Sequence, residues 1–103
     1  MSFAEFAASV AHEQAPPADV SGALKALWQD ARGNWTVAHT RAQEDSSPDG
    51  AWVHAYLHRK EGDMENASYW YERAGRTRPA DDVTLPAEWE SIARALLGDA
   101  PKA

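Results

Sequence analysis

A glycine followed by a polar residue occurs twice at equivalent points of a helical pattern, and this constrains the chain more than any other feature. Gly33-Asn34 and Gly62-Asp63 lie 29 residues apart. Sliding the sequence by that interval places Leu24 on Val53, Leu27 on Tyr56, Trp28 on Leu57 and Ala38 on Ala67. Each half therefore predicts a helix, a reversal and a second helix. Glycine supplies the left-handed exit that ends the first helix. The Asn or Asp that follows can cap the next one. A small residue one turn later lets the two helices approach closely.

The rest of the chain carries the same helical signature. Phe3, Phe6, Ala7 and Val10 recur at helical spacing and predict a helix over residues 2–14, ended by Pro16 and Pro17. Val20, Leu24, Leu27, Trp28 and Ala31 form a second stripe that stops at Gly33. Asn34 should cap a third helix running to about Glu44, with Trp35, Ala38 and Ala42 on one face. The segment "EDSSPDG" is turn chemistry. A fourth helix is expected from about Asp49 to Glu61, and a fifth from the Asp63 cap to Ala74, closed by Gly75. Pro86 suits the first turn of a last helix, whose Trp89, Ile92, Ala93, Leu96 and Leu97 face the core up to Gly98. No segment alternates as a strand does. The expected fold is all-α: antiparallel helical hairpins with flanking N- and C-terminal helices, one packed at each end. Residues 1–98 should form a single domain and 99–103 a flexible tail.

Size and charge narrow the partners. A chain of 103 residues holds one small core. A net charge of −6 opposes general binding to a phosphate backbone, so no nucleic-acid partner is expected. With no cysteine, disulfides, thiolate chemistry and cysteine-ligated zinc are excluded. No apolar run reaches the roughly 20 residues of a membrane span. The opening "MSFAEFAASVAHEQAPP" carries Glu5 and no basic stretch, unlike a secretory leader. The expectation is a cytoplasmic protein without a membrane partner.

Gly62, Ala67, Tyr71, Ala74 and Pro79 occupy the glycine, alanine, aromatic, alanine and helix-ending proline positions of a tetratricopeptide repeat, which residues 48–81 resemble and residues 20–45 resemble more faintly. Trp52 and Ala55 stand one position off that pattern, and the 29-residue offset is shorter than the family's period of about 34, so the two repeats are degenerate. The stretch "WVHAYLHRKEGDMENASYWYERAG" also resembles a signature of small bacterial helical proteins, a likeness that implies no activity. The repeat resemblance implies that the first helix of each hairpin lines a groove. The matching positions are Asp49, Trp52, Tyr56, Arg59 and Lys60. An aromatic pair beside two cations resembles a clamp for a peptide or a carboxylate-bearing ligand. The function this implies is a non-enzymatic interaction or scaffold module whose partner is a protein, a peptide or a second copy of the chain.

His54 and His58 stand four residues apart on one helix face, with Glu61 three residues further on and His39 on the preceding helix. Two such imidazoles and a carboxylate can hold zinc, and His39 can supply another nitrogen. Ala55 occupies the place of the general-base glutamate in "HExxH", so that protease motif is absent. The competing account is structural: histidines of this kind also hydrogen-bond to neighbouring carboxylates. No nucleophile–base–orienter set is legible, so an enzyme is the alternative only through a metal. Zinc is the one cofactor the residues suggest. Trp28, Trp35, Trp52, Tyr56 and Tyr71 are expected to fill helix interfaces. Tyr69, Trp70 and Tyr71 cannot all face one neighbour, so at least one should meet the Trp89 helix or a partner.

Overall fold

The computed structural model describes residues 1–99, which form six helices: α1 (Phe3–His12), α2 (Gly22–Ala31), α3 (Trp35–Glu44), α4 (Pro48–Lys60), α5 (Met64–Ala74) and α6 (Leu85–Leu97). The class is all-α. Among the described residues, no helix is long and apolar enough to cross a membrane. Of the expected tail only Asp99 is described; its carboxylate accepts from the Phe3 amide at 2.6 Å, and residues 100–103 lie outside the described part.

Local chemistry sets most boundaries. Ser2 and Glu5 form a reciprocal capping box at the start of α1. The side chains of Ser21, Ser47, Asp63 and Thr84 each accept a backbone N–H in the first turn of α2, α4, α5 and α6. Asn34 is a correction. It precedes α3 but makes no capping bond; its Nδ2 donates instead to Gln29 Oε1 at 3.0 Å. The two hairpin glycines, Gly33 and Gly62, have φ of +81° and +87°, the left-handed region that side chains disfavour.

Through these turns α2 folds back on α3, and α4 on α5; α3 and α4 join the pairs. Ala38 and Ala67, the small residues after each turn, are fully buried. Leu24, Leu27, Trp28, Val53, Tyr56, Leu57 and Ile92 form the main core with Phe6.

The terminal helices do not sit one at each end. α6 lies across α4 and α2, and α1 lies against α6. Phe6 stacks on Trp89 (centroids 5.9 Å), Phe3 meets the same ring edge-on at 6.0 Å, and Trp89 Nε1 donates to the Leu27 carbonyl at 2.9 Å. Trp28 Nε1 donates to Ser9 Oγ at 3.1 Å, tying α1 to α2 as well. One large apolar patch on α2 and α4 is thus closed by both terminal helices together.

Candidate metal centre

The face of α4 opposite α6 carries His54 and His58, and the short α3–α4 connection brings His39 of α3 against them. His54 and His58 are buried and His39 is half-buried. One potential ligand atom from each lies within 4.8 Å of the others. Nitrogens bound to one tetrahedral zinc at about 2.0–2.1 Å would be roughly 3.3 Å apart, so the three would close by at most about 1.5 Å to share one ion.

Two tryptophans enclose the imidazoles. Trp70 of α5 stacks on His54 with centroids 3.9 Å apart and planes 19° apart. Trp35 stacks on His39 at 5.0 Å, and its Nε1 is tied to the Leu57 carbonyl at 3.0 Å. The three imidazoles lie 4.6–5.2 Å from one another. Trp70 therefore meets α4, whereas the α6 ring Trp89 is covered by α1; Tyr69 is left 52% exposed. The α6 placement considered for this trio applies to Tyr71 alone, whose hydroxyl reaches Glu88.

The electrostatics favour the neutral form of His54 and His39. Burial lowers the His54 pKa to about 4, with His39 and His58 adding to the effect. His39 is lowered too, by burial and by His58, against the opposing pull of Glu61. Neutral imidazoles have lone pairs to offer. His54 Nδ1 is buried with no hydrogen-bond partner, the single such side-chain atom among the described residues. Buried polar atoms ordinarily have one.

Glu61 pairs with His58, as the structural account of their spacing expects. Its Oε1 lies 2.6 Å from His58 Nδ1. An ionised carboxylate can only accept, so Nδ1 donates this bond. The bond holds the His58 ring in place, and these two side chains with Asp63 also form a second group of ligand atoms within 4.8 Å of one another. Asp63 lies near this pair, but its carboxylate is occupied by Asn66 N and Nδ2 at 3.2 and 2.8 Å.

The groove positions meet other parts of the same chain. Arg59 is nearly buried; it donates to Glu88 Oε1 at 2.8 Å and to the Val83 carbonyl. Tyr71 donates to the other Glu88 oxygen. Lys60 Nζ pairs with Asp30 Oδ1 at 2.9 Å, and Tyr56 donates to Asp30 Oδ2 at 3.2 Å. Burial and these carboxylates push both phenols well above their ordinary range, so they stay donors. Trp52 is half-buried with the Arg76 guanidinium 3.8 Å above its ring, and Asp49 is exposed in the first turn of α4. Arg59 therefore serves an internal carboxylate, while Tyr56 and Lys60 border a cavity of about 410 Å³ together with Asp30, Leu85, Pro86 and Trp89.

Asp30 and Glu88 are buried acids that the spacing of the candidate site residues does not point to. Their signal was present: each interrupts an apolar helical row, Asp30 after Ala23 and Leu27, Glu88 between Leu85 and Ile92. An acid in that position must be paired or stay neutral.

No family model, curated protein or solved structure matches this chain.

Proposed function

We propose that this protein binds a divalent transition metal, zinc by its ligand set, through His39, His54 and His58. The observation that carries this reading is the convergence of three imidazoles around a buried, unpartnered nitrogen. Imidazole suits zinc, and three protein nitrogens leave a fourth tetrahedral position for water or a ligand. Glu61 would hold the His58 ring in place. A buried imidazole nitrogen without a partner is costly, and a metal ion would offset that cost.

Metal analysis of protein prepared without a histidine tag tests this. One equivalent of zinc is expected, and none in the His54→Ala, His58→Ala double variant. Wild-type protein that takes up no zinc, or a double variant that takes up the same amount, overturns the reading.

A second reading is an interaction module of tetratricopeptide-like hairpins that binds a protein, a peptide or another copy of itself. Its support is the exposed Tyr69 ring, with the Arg73 guanidinium 5.6 Å from its centroid and Trp70 beside it. Such an aromatic–arginine surface resembles the anchor residues of interfaces. Sedimentation of wild type and Tyr69→Ala tests the self-association form: a dimer lost in the variant supports it, and a monomeric wild type rules it out.

A further inference from the structure

A cleft of about 260 Å³ reaches His54, alone of the three histidines, and is bordered as well by Trp70, Arg73, Gln43, Ser46 and Ser47. It shares no lining residue with the cavity on the α6 side that Tyr56 and Lys60 border. Its volume falls just below the range of ordinary small-molecule sites, which suits a ligand of a few heavy atoms.

Two charged side chains line the cleft, Asp45 and Arg73. Asp45 borders it, yet its carboxylate is committed: Oδ1 accepts from Ser47 N and Oγ at 2.9 and 2.5 Å, and Oδ2 accepts from the Ala23 amide at 3.0 Å. Arg73 has no carboxylate partner among the described residues. Its guanidinium donates only to the Tyr69 hydroxyl at 3.2 Å and lies over the Tyr69 and Trp70 rings. Those contacts hold the head group at the rim and leave most of its five N–H donors free. A guanidinium fork is matched in shape and charge to a carboxylate.

We propose that this cleft is a binding site for a small carboxylate, one oxygen completing the metal's coordination beside His54 and the other accepting from Arg73. The proposal rests on the metal reading above and adds the class of the fourth ligand and the residue that selects it. The shell around His54 has no other cation facing the cleft. A neutral amide of the same shape would meet a donor where an acceptor is needed.

Cobalt(II) separates the two ideas, because its d–d absorption reports both binding and a change of ligand. Acetate should change the cobalt spectrum saturably, and acetamide should not. Arg73→Gln should bind cobalt as tightly as wild type while its acetate affinity falls about tenfold, the effect of losing one charge-assisted hydrogen bond. Arg73 is exposed, and circular dichroism of the variant should be unchanged. A bound-cobalt spectrum that ignores acetate, or Arg73→Gln titrating like wild type, overturns the carboxylate site and leaves the metal centre standing. Wild type that gives no bound-cobalt spectrum overturns both.

Discussion

Trp70 lies flat on His54, their centroids 3.9 Å apart, and so shields one face of an imidazole that has no partner for its Nδ1. The stack couples α5 to α4 at the point where the three histidines meet. Trp70 thus covers the His54 ring as well as forming part of the helix interface. Replacing it by alanine should destabilise the protein by about 2 kcal/mol, below the range for a fully buried tryptophan because the ring is half-buried. The same change should raise the His54 pKa toward its ordinary value, read by NMR titration of the ring protons. An unchanged titration would mean that Trp70 does not control the imidazole's solvation.

The metal-free protein should lose stability in mild acid. The His54 pKa is lowered in the folded state from 6.5 to about 4, so between those values the unfolded chain binds more protons. The contribution is complete above about pH 6.5 and disappears as pH falls through that window. The full shift corresponds to about 3 kcal/mol, which solvent at the open His39 edge reduces to roughly 1–2. Urea unfolding of wild type and His54→Phe at pH 7.5 and pH 4.5 should show the difference narrowing in acid for the variant. Equal losses in both proteins would show that His54 is not responsible.

Arg59 should behave as a core residue. Arg59→Met leaves the Glu88 carboxylate buried with only Tyr71 as donor, and the loss should be about 3–5 kcal/mol in chemical denaturation. Adding Glu88→Leu to it should restore much of that loss, because the stranded charge is gone. A single variant as stable as wild type would return Arg59 to the surface and to ligand binding.

Gly50→Ala should destabilise the protein although alanine is the better helix former. A β-carbon at Gly50 would run into the Asp45 carbonyl oxygen and crowd its side chain. The propensity gain of about 1 kcal/mol is then outweighed by a backbone collision, for a net loss of about 1–3 kcal/mol in thermal unfolding. Gly50 lies in the first turn of α4, so the damage also reaches the cleft bordered by Ser46 and Ser47. A raised melting temperature would show that the α3–α4 connection yields easily.

The six helices were legible along the chain because their signals are short-range. Gly33 and Gly62 reverse it by φ alone, Asp63 caps α5 three residues on, and apolar spacing marks the faces turned inward. The His54–His58 pairing was equally local, a consequence of 3.6 residues per turn. What only the tertiary structure decided is which of those faces meet. His39 joins the pair through helix packing, Trp70 turns to His54 rather than to α6, and α1 and α6 close one patch together. Arg59 lies 29 residues from Glu88, and Lys60 lies 30 from Asp30; nothing in either neighbourhood announces the other. A cap is settled by atoms within one turn. A buried charge finds its partner only after the core has set the helices side by side, and so the partner cannot be read from spacing.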